Sequence, residues 1–331
     1  MRVGLTYDLR DAYLAEGYGE EETAEFDSAV TIDGLADVLS RRGFAVDRIG
    51  HVRQLAARLV AGDRWDFVFN IAEGLRGVGR EAQVPALLDA FGVPYSFSDP
   101  LVMALTLDKA MTKRVIRDAG LATAGFAVVA EEADLAGLDL PFPVFVKPVA
   151  EGTGKGVSAA SKADTPEQLA AACRGVIAQF RQPAIVETFL PGREFTVGIV
   201  GTGARARVVG TMEVLFGDAA EAHGYTFLNK EHYEGRVDYR LADDAPAQAA
   251  ADLALAAWRV LGCRDGGRLD LRCDAAGRPH FIEVNPLAGL NPLRSDLVIL
   301  AKLAGWSYDD LIGAIVDSCL ERIGARRTEA A

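Results

Sequence analysis

Two short segments in the last third of the chain, Gly267-Arg-Leu-Asp-Leu271 and Phe281-Ile-Glu-Val-Asn285, alternate polar and apolar residues with the period of a β-strand. Arg268 and Asp270 then share one face opposite Leu269 and Leu271, and Glu283 and Asn285 share one face opposite Ile282 and Val284. If the strands are neighbours, two carboxylates, a carboxamide and a guanidinium converge. That is an oxygen-rich set suited to magnesium, with a cation beside it to meet developing negative charge. The same alternation also describes the solvent-facing side of an ordinary antiparallel sheet.

The first third alternates strand and helix signals. Val3 to Tyr7, Phe44 to Ile49 and Trp65 to Asn70 read as strands, with helical spacing over Phe26 to Arg42, from His51, and over Arg80 to Phe91. Such alternation predicts a parallel sheet with helices on its faces. The breakers around Gly92 and Pro100 mark a boundary, followed by a helical run. Strands are expected at Ala124 to Val129, Phe142 to Lys147 and Ala184 to Glu187, and a helix at Thr165 to Phe180. Beyond Pro191 antiparallel strands dominate, closed by helices from Ser295 and Ser307 and a polar tail after Ile323. At 331 residues the chain suits several packed lobes, drawn at 1–100, 101–190 and 191–331.

A net charge of -12 argues against a phosphate-neutralising nucleic-acid surface. No stretch reaches the roughly 20 uninterrupted apolar residues of a membrane span. The N-terminus reads at once as a strand rather than a signal peptide, so a cytoplasmic location is the expectation. The four cysteines form no CxxC pair and are expected as buried free thiols.

Three further groups could serve a nucleotide. Lys109 and Lys147 are candidate phosphate ligands, Lys147 sharing a strand face with Phe145 before Pro148 ends regular pairing; a lysine at a strand end is also commonly just solvated. The run Glu151, Gly152, Thr153, Gly154, Lys155, Gly156 lets backbone amides approach phosphate, though a hairpin turn would look the same and the Walker A spacing is absent. Glu187, Thr188, Phe189 and Leu190 lead into a tight connection whose backbone could read an adenine edge, with Glu194 in reach of ribose hydroxyls; an ordinary hinge with surface acids reads alike.

The order of these pieces resembles the D-alanine:D-alanine ligase branch of the ATP-grasp superfamily, from about Phe67 to the final helices. The resemblance implies an α/β and α+β fold of three lobes, with an N-terminal Rossmann-like parallel sheet. It also implies ATP and two magnesium ions, for which manganese could substitute, and small amino-acid-like substrates. By position, Lys109 and Lys147 match the phosphate lysines and Glu187 to Leu190 the adenine hinge. Glu194 matches the ribose ligand, and Asp270, Glu283 and Asn285 the metal ligands. Arg268 and the Gly289 amide match the groups that stabilise the tetrahedral intermediate, Lys230 the lysine of a mobile loop, Thr153 a serine near the substrate, and Ser295 the serine for the second substrate's carboxylate. Family members commonly pair through the N-terminal lobe, so a homodimer is allowed.

The chain departs from that pattern where substrates bind. Asn70-Ile-Ala-Glu-Gly74 lacks the family's histidine, and the acidic stretch Glu16 to Glu22, with Glu25 and Asp27 as loose substitutes, stands where an ammonium-binding glutamate is expected. Arg294, beside Ser295, has no counterpart and is a candidate for a substrate carboxylate. Three functions follow as expectations: a ligase joining two amino acids, a related ligase or cyclase of specialised metabolism with another acid or amine, and a non-catalytic nucleotide-binding protein.

Overall fold

The structure, a computed structural model, describes residues 1–217 and 237–329, with side chains to residue 324. Strands β1 (Arg2–Thr6), β2 (Ala45–Gly50) and β3 (Phe67–Asn70) form a parallel sheet in the order β2-β1-β3. Gly4 sits where Ile49 and Trp65 press onto β1, and a β-carbon there would come within 2.5 Å of the Ile49 side chain. The helix Ala29–Arg41 covers one face through Ile32, Leu35 and Leu39. His51 caps the next helix, Val52–Val60, by accepting from the Arg53 amide.

A four-stranded antiparallel sheet follows, β4 (Phe126–Val129), β5 (Val144–Pro148), β6 (Lys162–Ala163) and β7 (Ala184–Thr188), in the order β4-β7-β5-β6. The helix Pro166–Phe180, capped by Thr165, packs Leu169, Cys173 and Val176 against it. Strand β5 does not stop before Pro148 as expected: Pro148 keeps register with Ala184, because a proline loses only its own donor.

The third sheet is β10-β9-β8-β11-β12, antiparallel, from β8 (Glu194–Val200), β9 (Arg207–Phe216), β10 (Val237–Leu241), β11 (Gly266–Cys273) and β12 (Pro279–Asn285). The helix Ala245–Leu261, absent from the sequence reading, lays Ala250, Ala254, Ala257 and Trp258 against it. Its signals were local: Asp244 caps the N-terminus, proline sits in the first turn, and Gly262 ends it at φ 74°. The polar tail expected after Ile323 is instead the end of the helix Tyr308–Glu329.

One apolar core joins the two ends of the chain. Val3, Leu5 and Phe69 of the first sheet pack in one cluster with Leu297 of the helix Asp296–Leu303 and with Ile312 and Ile315 of the last helix. Each such buried side chain contributes about 1.5–3 kcal/mol. Asp265 fastens the junction from inside, accepting hydrogen bonds from the Phe97 amide at 2.8 Å and from Arg322 at 2.7 Å. All four cysteines are buried free thiols. No helix among the described residues is long and apolar enough to cross a membrane.

Candidate active site

The second and third sheets face each other across a cleft lined from both. Its walls change character along its length. Ala124, Phe145, Val157, Leu190 and Ile282 make an apolar end, and Lys109, Lys147, Glu151, Lys155, Asp270 and Glu283 a charged one. A planar base fits the first and a polyphosphate the second.

Strand pairing builds the charged end. Antiparallel register sets Arg268 opposite Asn285 and Asp270 opposite Glu283, so the expected convergence is present. Asp270 accepts from Thr196 at 2.8 Å and from Arg268, which also lies 3.7 Å from Asp296. Arg268 is raised above its ordinary range because Asp270, Asp296 and Glu283 outweigh its burial. The Asn285 Nδ2 is buried without a hydrogen-bond partner. Two carboxylates and a carboxamide form a hard oxygen donor set that fits magnesium.

The helix Lys109–Asp118, capped by Asp108, carries two buried lysines one turn apart on one face. Lys109 donates to the Glu151 carbonyl and lies 3.3 Å from Glu283. Lys113, which the sequence reading missed, is 2.5 Å from Glu187 and donates to Thr123 at 2.8 Å and to the Phe281 carbonyl at 3.2 Å. It therefore ties the two sheets together beneath the cleft. Its signal was the spacing Lys109, Lys113, Ile116 on the buried face of an amphipathic helix.

Glu187 is occupied. One carboxylate oxygen faces Lys113 and the other Lys147, at 2.8 Å. Burial alone would raise this acid, but the two lysines outweigh it and hold the group at about 2. Burial likewise presses Lys113 below the ordinary lysine range, whereas for Lys147 the pull of Glu187 and Glu283 wins and the shift is upward. In the connection beyond, Thr188 and Phe189 donate their amides to Gly125 and Pro143. Glu194 lines the cleft 3.3 Å from Arg272.

A second cavity adjoins the charged end and runs toward the first sheet. Arg268, Glu283, Asn285 and Gly289 border it together with Glu25, Glu73 and Glu81. The loop 151–156 separates the two spaces: Lys155 bridges Glu151 at 2.7 Å and Glu25 at 3.0 Å, and Gly152 makes room for the Glu25 carboxylate, which a β-carbon would meet at 2.3 Å. Gly154 and Lys155 line the first cleft, Gly152 and Thr153 the second cavity; Gly156, at φ 74°, packs on Pro148 and Phe180.

Glu25 also pairs with Arg80 at 3.0 Å, and the two cations hold it below the ordinary carboxylate range against its burial. As a free ligand for an ammonium group, Glu25 is thus spoken for. Asp27 is pushed up to about 7, chiefly by burial. Ser295, before the helix Asp296–Leu303, accepts from the Asn291 amide at 2.9 Å, and its hydroxyl lies where a β-carbon on Gly289 would meet it at 2.9 Å. Arg294 is exposed and lines neither space. Lys230 lies outside the described residues.

A cleft with charged and apolar walls between two antiparallel sheets, beside a parallel α/β unit, defines an ATP-grasp protein. The chain belongs to the D-alanine–D-alanine ligase family: the family model described as D-ala D-ala ligase C-terminus matches residues 115–317. A D-alanine–D-alanine ligase of Erythrobacter litoralis is 31% identical over 98% of this chain and 97% of its own. An uncharacterized protein, y4sG, of Sinorhizobium fredii is 34% identical over 76% of this chain and 73% of its own. In fold, the crystal structure of a Bacillus anthracis D-alanine–D-alanine ligase complexed with ATP matches with a TM-score of 0.72 at 20% identity, covering 98% of this chain and 99% of that one.

Proposed function

We propose that the chain is an ATP-dependent, ADP-forming ligase that joins two amino-acid-like substrates through an acyl phosphate. The observation that carries this reading is the meeting of Lys109, Lys147, Asp270 and Glu283 in a cleft that also has apolar walls, with Asn285, on the same strand as Glu283, bordering the adjoining cavity. The first substrate's carboxylate attacks the γ-phosphate, ADP leaves, and the second substrate's amine then displaces phosphate from the acyl carbon. Negative charge gathers on oxygen in both steps, so positioning and electrostatics supply the rate and no protein nucleophile is needed.

In this reading Lys109 and Lys147 hold the phosphates, and the amides of the loop Glu151 to Gly156 cover them. The backbone of Glu187 to Leu190 reads the base and Glu194 the ribose. Asp270, Glu283 and Asn285 would hold two magnesium ions, which neutralise phosphate charge when bound. Arg268 and the Gly289 amide meet the oxyanion of the tetrahedral intermediate from one wall of the second cavity. Thr153 and Ser295 are the remaining substrate contacts, and Arg294 is left out because of its exposed position. The lobes 1–100, 101–190 and 191–331, a cytoplasmic location and pairing of two copies through the first lobe belong to the same reading.

The test is a screen of amino acids, singly and in pairs, for ATP-dependent phosphate release, with nucleotide products separated by chromatography. ADP and phosphate in equal amounts support the reading. Stoichiometric AMP overturns it, and nucleotide binding without turnover for any pair favours a non-catalytic protein. A ligase with a substrate other than alanine is favoured by one specific feature, the carboxylate of Glu73 where the family carries a histidine.

A further inference from the structure

The second cavity has an unbalanced wall. The nearby cations are already engaged: Arg80 and Lys155 by Glu25, Lys155 also by Glu151, Lys109 by Glu283, and Arg268 by Asp270 and Asp296. Glu73 and Glu81 border the same space, and neither has a hydrogen bond or an ion-pair contact among the described residues. A partly buried carboxylate without a partner is costly, so two side by side require a reason.

A separate observation indicates a ligand there. Thr153 Oγ1 and Asn285 Nδ2, both on residues that line this cavity, are buried polar atoms without a hydrogen-bond partner. Buried polar groups are nearly always satisfied in a folded protein, so two unsatisfied atoms facing one cavity point to a ligand within it. The wall therefore offers neutral polar contacts and two acids to the same guest.

Resting on the ligase reading above, we propose that the acyl substrate is an amino acid with a second cationic group, an amine or guanidine on its side chain, held by Glu73 and Glu81. Its carboxylate must lie toward Lys109 and Glu283 to meet the γ-phosphate, and the rest of the molecule then shares the cavity that Glu73 and Glu81 line. An amino acid such as alanine brings one ammonium group and would leave one of the two carboxylates without a counter-charge. The energetics agree with the geometry. Burial and the neighbouring Glu81, Glu25 and Asp27 raise Glu73 well above the usual carboxylate range, and burial against the pull of Arg80 brings Glu81 to about 7. Two ammonium groups would relieve both.

Hydroxylamine isolates this half of the reaction. Its nitrogen attacks the carbonyl carbon of an acyl phosphate, the carbon–oxygen bond to phosphate breaks, phosphate departs, nitrogen loses a proton, and a hydroxamate remains. The full-length enzyme with ATP and magnesium is given the D- and L-forms of ornithine, lysine, arginine, alanine and serine. The expected result is that a dicationic amino acid exceeds alanine and serine in kcat/KM by about tenfold or more. In E73Q/E81Q that preference should shrink by about tenfold or more, mainly through KM. The melting temperature of the variant shows whether it folds, and single E73Q and E81Q variants serve if it does not. Alanine turned over as well as the dicationic acids, or a preference that survives both substitutions, overturns the proposal while leaving the ligase reading intact. Hydroxamate from none of the acids sinks the ligase reading, and this proposal with it.

Discussion

The two ends of this active site solve their electrostatics in opposite ways. Beneath the nucleotide cleft, Glu187 is shared by Lys113 and Lys147, and each buried charge faces an opposite one. In the second cavity, Glu25 is neutralised twice while Glu73 and Glu81 have no partner among the described residues. A charge that is balanced within the protein organises a site before the ligand comes; a charge left unbalanced assigns the complementary charge to the ligand. On the proposed reading, the nucleotide side holds the same guest throughout and the acid-lined side selects the substrate.

The sharpest test of the balanced end is Lys113→Met, which leaves half of Glu187 buried against an apolar group. Loss of one partner of a buried pair typically costs 3–5 kcal/mol, and because Lys147 remains, about 3 kcal/mol is expected. Urea unfolding measures it, and Lys113→Arg should recover part of the stability. A loss below about 1 kcal/mol would mean that the pair does not organise the site.

Next in size are Asp270→Asn and Glu283→Gln, each expected to lower turnover by about a hundredfold or more by removing charge where phosphoryl transfer occurs. Because Asp270 and Glu283 also pair with the buried Arg268 and Lys109, turnover is compared well below each variant's own melting temperature, so that lost charge is separated from lost fold. Near-normal turnover at saturating magnesium would remove the metal assignment.

The acid-lined side should show itself in stability against pH. Asp27 carries a folded-state value of about 7, and Asp8, Arg294, Tyr308 and Glu73 are the charged or titratable groups around it. Its value is raised above that of an unfolded aspartate, so between about pH 4 and 7 the native state holds the proton more tightly and stability falls as pH rises. Because solvent reaches this side chain, the loss is of order 1 kcal/mol. Asp27→Asn should flatten that part of the curve, and a slope unchanged in the variant would refute the assignment. The smallest effect is reserved for Arg294→Ala, which should alter KM for either substrate by no more than about twofold. A tenfold rise for one of them would bring Arg294 back into the site.

Much of the nucleotide side was legible in the chain because its signals are local. Period-two alternation specified which faces Arg268, Asp270, Glu283 and Asn285 occupy, whatever their neighbours. The parallel first sheet followed from alternating strand and helix patterns. The helix Ala245–Leu261 was missed although its capping signals are equally local, since a run of alanines lacks the contrast that periodicity needs.

What the sequence by itself determined was therefore the element types, the polar faces and the membership of the family. Only the tertiary structure decided which charges are spent and which remain available. Glu25 is one of two loose substitutes, with Asp27, for the family's ammonium-binding glutamate, yet Arg80, 55 residues on, and Lys155, 130 residues on, close around it. Glu73 and Glu81 are left open by the same packing. Lys113, which no sequence motif singles out, reaches a backbone carbonyl 168 residues away. The reason is the range of the forces: strand and helix periods are set by neighbours along the chain, whereas a carboxylate's state is set by whatever charge folding brings within a few ångströms.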